Sequence, residues 1–274
     1  MLYANHARSS PVKQVYHLLI WDIVIKIHAA HLADTMTNHE ELKKIFSEAS
    51  NVVRDTWQQQ GKPPVLEATP DELIDTVDQF FIIHQKIGNS PNPNISLNRD
   101  NISLIGEQTI NCLADLAYWA EELSLPDEAA LLEEIALSVT HWVIRQKGEI
   151  RSLEAVGNLL ANKANQTTDT ALLTALFHVI KDVIRHTAEE LKNDQDKSDP
   201  NRPWRMLNLN FAIVATRTLD RALMEQAFDS LGHYLPEDCP EFFEEGLKQS
   251  QKPSYGTDMQ DIMTTYFRKW TVLH

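Results

Sequence analysis

The chain has 274 residues, 43% of them hydrophobic and 23% charged, which is ordinary for a globular protein with a sizeable core. Its formal net charge of -14 repels phosphate backbones, so nucleic acid is not expected as a partner, whereas a basic peptide would be attracted. The same charge also suits an acidic protein that is simply well dissolved, and that alternative stays open.

The first predicted element is an apolar helix near the N-terminus, over Val15–Ala30. Arg8 and Lys13 precede it, as in a signal peptide, but Asp22 and Lys26 interrupt the apolar run and no clean cleavage site follows. The run is also too short and too charged to span a bilayer. We therefore predict a buried helix, a cytoplasmic location and no membrane partner.

Helix start signals recur along the chain. Thr37-x-x-Glu40 and Thr69-Pro-Asp-Glu72 are capping boxes, and Gly61-Lys-Pro-Pro64 between them predicts a helix end. Thr257-x-x-Gln260 predicts the start of the last helix. With only 8 glycines and no Asn-Gly or Asp-Gly pair, β-hairpins are not expected. The pattern predicts an all-α protein of about ten or eleven helices.

Two segments have the composition of linkers, Gly88–Asn94 and Asn193–Pro203. We predict a single all-helical domain over 1-274 with internal segments divided at these linkers. The segments are 1-87 with the N-terminal helices, 100-192 with two helical hairpins, and 203-274 with a third hairpin and the C-terminal helix.

A short phrase occurs three times in the second half, beginning at Asp127, Asp169 and Asp220. Each copy has an aspartate suited to cap a helix, a small residue two positions later, and apolar residues at helical spacing. The copies start 42 and then 51 residues apart, and each follows a helix with small residues on one face. This predicts stacked antiparallel helical hairpins, α-solenoid-like in the second half, with the N-terminal helices capping one end. The alternative is that the phrase is an ordinary helix start.

The third copy of the phrase lies within a longer motif. Trp204-x-x-Leu-Asn208-x-x-Phe211 is followed by Met224-x-x-x-Phe228 and then by a proline. This resembles the tetratricopeptide family, whose pattern is Trp-x2-Leu-Gly-x2-Tyr, then Ala-x3-Phe, then Pro. The Phe-to-Pro spacing of 8 matches, the Trp-to-Phe spacing of 24 is longer by one helical turn, and the resemblance covers about a third of the chain. It implies hairpin repeats that bind peptides or proteins.

A polar ladder predicts where such a partner would bind. In stacked hairpins the first helices line a groove. The first helix of the middle hairpin has asparagines at helical spacing on one face, and asparagine amides both donate and accept hydrogen bonds, which suits an extended peptide backbone. The predicted groove residues are Asn111, Asp115, Asn158, Asn162, Asn165, Arg205 and Asn208. The predicted function is a non-catalytic protein- or peptide-binding scaffold without a cofactor, and chance surface composition is the alternative account of the asparagines.

Two histidine clusters support a different function, a metal-dependent all-helical hydrolase. The clusters are His28-x-x-His31-x-x-Asp34 and His178-x-x-x-Asp182-x-x-x-His186. The competing interpretation is that both are surface pairs, since no helix offers a matching Glu-x-x-His. The sequence has no nucleophile elbow and no phosphate-binding glycine loop.

The last part of the chain adds two interaction hypotheses. Glu237–Glu245 is acidic with adjacent Phe242 and Phe243, and would dock a basic amphipathic helix if the two rings were not both buried. The alternative is the ordinary arrangement, in which one ring faces the core and the other is half-exposed. The C-terminal helix has a methionine and aromatic stripe that is either core or a homodimer surface. Of the two cysteines, Cys112 is predicted to be core, and Cys239 has acidic neighbours that disfavour a thiolate.

Overall fold

The computed structural model describes residues 37–61, 66–88, 97–193, 197–251 and 256–271, and these contain eleven helices and no strand. The all-α prediction is therefore confirmed. The predicted helix over Val15–Ala30, with His28, His31 and Asp34, lies outside the described residues, and so does most of the linker Gly88–Asn94. Among the described helices, none combines the length and apolarity that crossing a bilayer requires.

The described helices divide between two compact units, Met1–Val156 and Gly157–His274. The first unit contains α1–α4, α5 begins in it and continues into the second, and α6–α11 belong to the second. The prediction of one domain with three internal segments stays a prediction, because compactness does not decide what folds alone. The bounds are α1 Thr37–Gln60, α2 Pro70–Gly88, α3 Arg99–Glu122, α4 Pro126–Arg145, α5 Leu153–Gln166, α6 Thr170–His186, α7 Glu189–Lys192, α8 Pro203–Thr218, α9 Arg221–Tyr234, α10 Cys239–Ser250 and α11 Thr257–Thr271.

Side-chain caps begin several of these helices as the sequence predicts. The Thr69 backbone N–H donates to Glu72 Oε2 at 2.8 Å, and these bonds from Thr69 hold the pKa of the Glu72 carboxyl below its usual value. Asp169 Oδ1 accepts from the backbone N–H of Ala171 at 2.7 Å. Asp220 Oδ1 makes the equivalent bond to Ala222 at 2.8 Å. Two of the three repeated aspartates therefore cap helices, each satisfying backbone donors that lack a partner in the first turn.

The first repeated aspartate is an exception. Helix α4 begins at Pro126, so that Asp127 lies in the first turn and Leu125 is the cap residue. The predicted cap at Asp127 is wrong because proline, which lacks an N–H and has a fixed φ, suits the first helical position better. Asp127 still lies at the positive end of the helix dipole.

Helices α1–α4 form a closed up-and-down bundle. Each packs on the next, and α1 also packs on α4. The direction alternates: Gln85 near the end of α2 donates to Glu40 near the start of α1 at 3.3 Å. Trp119 near the end of α3 donates to the Ala68 carbonyl before α2 at 3.1 Å, and its ring lies 5.9 Å from that of Trp57 near the end of α1. Helices α1 and α3, which lie diagonally across the bundle, therefore run parallel.

The closest approach in this bundle is between α3 and α4. A Cβ built on Gly106 would lie 2.2 Å from Cγ2 of Val143, and one built on Gly148 would lie 2.7 Å from Cγ2 of Ile102. These glycines let the start of α3 lie against the end of α4. Most large apolar side chains of the four helices are buried within the bundle.

In the second unit, α8 packs on both α6 and α9, and α11 packs on both α9 and α10. Phe177 of α6 stacks on Phe211 of α8 with ring centroids 4.6 Å apart. Trp204 at the start of α8 contacts Tyr234 at the end of α9, at 5.0 Å between ring centroids, so these helices form an antiparallel hairpin.

Helices α10 and α11 form a second hairpin with the same orientation. Phe243 and Tyr266 are 5.3 Å apart between ring centroids, and a Cβ on Gly246 would lie 2.9 Å from Sδ of Met263, so the pair is antiparallel. Helix α9 runs parallel to α11, because Phe228 contacts Tyr266 and Gly232, one turn later, contacts Trp270. The first helices, α8 and α10, therefore also run parallel.

The α5–α6 pair departs from the expected hairpin geometry. The small residues Ala155, Gly157 and Ala161 predicted a close approach of α6 to α5. A Cβ built on Gly157 would meet nothing within 4 Å, and α5 does not pack along α6. The expectation of close packing at these residues is wrong because small residues permit an approach without requiring one.

Candidate binding groove

The second unit contains an open cavity of about 500 Å³ between the two parallel first helices, α8 and α10, with α11 at its base. We call it the α8–α10 groove. Its lining residues are Arg205, Leu209, Ile213, Thr216, Arg217, Asp238, Glu241, Phe242, Glu245, Gly246, Gln249, Ser250, Met259 and Met263. Its volume is within the range of about 300–1,000 Å³ that is typical of ligand pockets.

The floor of the α8–α10 groove is apolar. Ile213 is 44% exposed although it is a large hydrophobic residue, and Leu209 lies half-buried one turn before it. From α11, the buried Met259 and Met263 complete the floor. Methionine side chains are flexible and polarisable, so such a floor adapts to ligands of different shape.

Phe242 joins this floor to the core. Phe243 is fully buried, whereas Phe242 is half-buried and lines the groove. The two rings lie 5.2 Å apart, and Phe228 of α9 is 5.1 Å from Phe243 and 6.1 Å from Phe242. Edge-to-face contacts of this kind hold Phe242 in position. The two rings are not both buried, as docking by the Glu237–Glu245 segment requires, but one buried and one half-buried ring is also the ordinary arrangement, so docking stays a prediction.

An ion pair closes one end of the groove. Oδ1 of Asp238, immediately before α10, lies 2.7 Å from both Nε and Nη2 of Arg205 in the first turn of α8. Nη1 of Arg205 also donates to the Pro200 carbonyl at 2.8 Å. The charge of Arg205 is therefore paired with that of Asp238, and its Nε, Nη1 and Nη2 atoms each make a contact within the protein.

At the other end of α8, the lining arginine is also hydrogen-bonded within the protein. Arg217 donates through Nη1 to the Ala164 carbonyl at 2.7 Å and through Nη2 to the Thr167 carbonyl, where α5 ends. The two lining hydroxyls, of Thr216 and Ser250, donate to backbone carbonyls of their own helices at 2.6 and 2.8 Å. The side chains of Arg217, Thr216 and Ser250 are therefore hydrogen-bonded within the protein.

The α10 side of the groove is acidic. Glu241 and Glu245, one helical turn apart, are exposed and line the groove. The amide of Gln249 donates to Glu245 Oε1 at 2.8 Å, which extends the same polar row. The two arginines of the lining are occupied at the groove ends, so the carboxylates dominate the field that a ligand meets along α10.

The asparagines predicted to line a groove are distributed over both units. Asn111 is exposed and Asp115 half-buried on α3 of the first unit, and burial raises the pKa of the Asp115 carboxyl. Asn158, Asn162 and Asn165 are exposed along one face of α5. Whether these residues share one groove stays a prediction. Among the seven predicted residues, Arg205 lines the α8–α10 groove.

Asn208 belongs to the core of the second unit. It is 1% exposed, and its Nδ2 donates to the Trp204 carbonyl at 2.8 Å. Its side chain is therefore not presented to a peptide. Stacking of the neighbouring Phe211 on α6 turns this face of α8 inward and leaves Leu209 and Ile213 on the groove face.

The described residues contain no group of three side chains that could hold a metal ion. His178 lies edge-on to Phe177 with ring centroids 5.4 Å apart, and His186 Nδ1 lies 2.8 Å from the Asp182 carbonyl oxygen. Asp182 forms an exposed ion pair with Arg185 at 3.7 Å. His28 and His31 lie outside the described residues, and the metal-dependent hydrolase stays a prediction.

Neither cysteine supplies an activated nucleophile. Cys239 is fully buried, and burial together with the nearby Asp238 raises the pKa of its thiol to about 12. Burial also raises the pKa of the half-buried Cys112. Both thiols remain protonated near neutral pH, and a protonated thiol is a poor nucleophile.

Most of the methionine and aromatic stripe of the C-terminal helix is part of the core, whereas Phe267 and Trp270 are half-buried. Met259, Ile262, Met263 and Tyr266 are buried within the second unit, where α11 packs on α9 and α10. These four side chains are therefore not available as a dimer surface. A homodimer through another part of α11 stays a prediction.

The groove floor is what the sequence reasoning missed, although α8 carried a signal for it. The buried side of α8 has Trp204, Leu207 and Phe211, and a second apolar set lies on the opposite side. That second set is Met206, Leu209 and Ile213. When a helix is apolar on two sides, its second apolar side either packs against another part of the protein or remains exposed to solvent and to a partner.

Comparisons with protein-family models, curated proteins and solved structures found no match for this chain.

Proposed function

We propose that the protein is a non-catalytic scaffold that binds a protein segment or peptide in the α8–α10 groove. The observation that carries the proposal is the open apolar floor around Ile213 between two parallel helices. Exposed apolar patches that are rimmed by polar side chains are typical of interaction sites.

The character of the lining supports binding. Leu209, Ile213 and Phe242 offer apolar contact area that water leaves when a partner binds, which is the main favourable term in association. The hydroxyls of Thr216 and Ser250 are bonded to helix carbonyls, and the lining contains no histidine that could act as their base. The groove therefore provides apolar contact area for a partner rather than an activated hydroxyl.

The arrangement of the hairpins also supports it. Two successive hairpins have the same orientation, with the groove between their first helices, as the tetratricopeptide-like interpretation of Trp204 to Phe228 requires. In repeat proteins of this type the first helices provide the binding surface. We extend the proposal to a TPR-like hairpin stack in this part of the chain.

The experiment selects ligands from a randomised peptide library displayed on phage, using the full chain as bait. Selected peptides are resynthesised, and their affinity is measured by fluorescence anisotropy. We expect Ile213→Glu to weaken binding at least tenfold, because it places a charge on the apolar floor. The matched control is Leu104→Glu: Leu104 of α3 is 46% exposed, close to the 44% of Ile213, and does not line the groove.

Equal affinity of Ile213→Glu and the unchanged chain for every selected peptide would overturn the assignment of the groove. A parallel variant, Asn158→Ala with Asn162→Ala, tests the exposed asparagine face of α5. Loss of binding in that variant alone would move the site to α5. Circular dichroism of each variant establishes that it is folded.

A further inference from the structure

We infer that the occupant of the α8–α10 groove is a cationic amphipathic helix whose basic side chains lie along the α10 side. This inference rests on the proposed function and specifies the partner's chemistry. It is carried by the one-sided acidic rim and by the lack of backbone hydrogen-bonding groups in the groove walls.

The walls favour a helix over an extended peptide. An extended peptide in a buried site needs partners for its own N–H and C=O groups. The groove walls are helices, whose backbone groups bond within each helix, and the two lining hydroxyls are used. The one lining side chain with an amide, Gln249, bonds to Glu245. A helical ligand brings its backbone already satisfied and needs only an apolar face.

The charge of the rim decides which helix fits. Segment Glu237–Glu245 contains five carboxylates and no lysine or arginine. Lys197 pairs with Glu237, Arg205 with Asp238, and Lys248 with Glu244. Two of the five carboxylates, those of Glu241 and Glu245, line the groove from α10. On the α8 side, the two lining arginines are bonded to other protein groups at the ends of the groove. The side of the ligand that faces α10 should therefore be basic, and the side that faces α8 should be uncharged.

The lengths of α8 and α10 along the groove predict the length of the ligand helix and the spacing of its apolar and basic residues. Arg205 and Arg217 are twelve residues apart on α8, which corresponds to about 18 Å along the helix axis. A helix of about twelve residues covers this length with three apolar positions one turn apart. Glu241 and Glu245 are separated by about 6 Å along α10, so they match two lysines or arginines placed one turn apart.

The test compares three helical model peptides of about twelve residues with the same apolar face of leucines. The first has two lysines one turn apart beside the apolar face, the second has glutamates there, and the third has the lysines on the opposite, polar face. Affinity for the full chain is measured by fluorescence anisotropy at low and at physiological salt. We expect the first peptide to bind about fivefold more tightly than the third. Its affinity should exceed that of the second peptide by a larger factor. Salt should reduce both affinity ratios.

A charge swap provides the decisive variant. In Glu241→Lys with Glu245→Lys, the glutamate peptide should bind more tightly than the flanking-lysine peptide, because the same positions now attract carboxylates. The matched control is Asp258→Lys with Asp261→Lys on α11, which changes the net charge equally at exposed positions outside the groove lining. The control should keep the preference of the unchanged chain.

The outcomes separate this inference from the proposed function. If the three peptides bind with equal affinity and Ile213→Glu weakens them all, the cationic occupant is overturned and the binding groove stands. If none of the peptides binds, or if Ile213→Glu leaves them all unaffected, both fail for helical ligands. A concentration-dependent dimer in analytical ultracentrifugation that Ile213→Glu dissociates would identify a second copy of the chain as the occupant and would overturn the inference.

Discussion

The two units are built from the same kind of helix but use their apolar surfaces differently. In the first, α1–α4 close into a ring in which each helix packs on two neighbours, and most of their large apolar side chains are buried. In the second, two hairpins of the same orientation associate through their second helices, α9 and α11. Their first helices leave Ile213 and Phe242 at a groove.

This difference shows that the packing order of the helices determines whether their apolar residues are buried or line a groove. In the ring, the helices bury most of their large apolar side chains against one another. In the second unit, α8 and α10 run parallel, with the groove between them. Apolar residues on the groove face of α8 therefore have a different expected cost of mutation from apolar residues in the ring.

The largest expected contrast comes from the same substitution in each unit. Ile135→Ala removes a fully buried side chain of α4 and should lower the free energy of unfolding by about 2–5 kcal/mol. Ile213→Ala, at a position 44% exposed, should cost about 1 kcal/mol or less. Urea unfolding followed by circular dichroism measures both. Equal costs would mean that the groove face of α8 is buried in the folded protein.

A pair of glycines should give effects of opposite sign. Gly106→Ala places a methyl group 2.2 Å from Cγ2 of the buried Val143, whose branched side chain has few allowed rotamers, and should destabilise by about 1–3 kcal/mol despite the better helix propensity of alanine. Gly157→Ala meets nothing within 4 Å and should stabilise by about 0.5–1 kcal/mol. Thermal unfolding of the two variants provides the comparison, and stabilisation by Gly106→Ala would contradict the close approach of α3 and α4.

Arg217 tests how α5 is held in the second unit. Arg217→Lys keeps the charge but loses the planar fork that reaches the carbonyls of Ala164 and Thr167, and should cost about 1 kcal/mol of unfolding free energy. The control is Arg221→Lys, which alters an exposed pair with Glu225 and should change stability by about 0.5 kcal/mol or less. Indistinguishable urea midpoints would show that the guanidinium bonds do not secure α5.

The last comparison uses the one cysteine in each unit. The pKa of the Cys239 thiol is raised from 9.0 to about 12, so the folded state keeps its proton while the unfolded state loses it above pH 9. This stability contribution is complete below pH 9 and is lost progressively as the pH rises toward 12. Iodoacetamide at pH 8 should modify the half-buried Cys112 well before Cys239, as read by peptide mass spectrometry.

Two results would count against this account of Cys239. One is alkylation of Cys239 as fast as that of Cys112 in the folded protein. The other is an unchanged alkaline stability profile in Cys239→Ala, since that variant should lose the part of the pH dependence that begins near pH 9.

The helices and three of the predicted caps could be predicted because their signals are local. Thr69, Asp169 and Asp220 cap the helices that follow them, since the donors they satisfy are only two or three residues away. The Asp127 prediction failed where two local signals competed and Pro126 took the first helical position.

The groove could not be predicted because it depends on which side of α8 faces the core. Both sides of this helix are apolar, and the stacking of Phe211 on Phe177, 34 residues away in sequence, decides that Asn208 turns inward and Ile213 outward. Likewise, nothing local shows that α9 and α11 run parallel, and the groove exists because they do.

The buried and exposed residues of α10 lie on opposite faces of the helix. Phe243 and Cys239 are buried on one face, while Glu241 and Glu245 are exposed at the groove rim on the other. Substitutions at the rim should therefore have little effect on the core that positions the groove. On the proposed function, the charge at these two positions can change to suit another ligand while the fold stays the same.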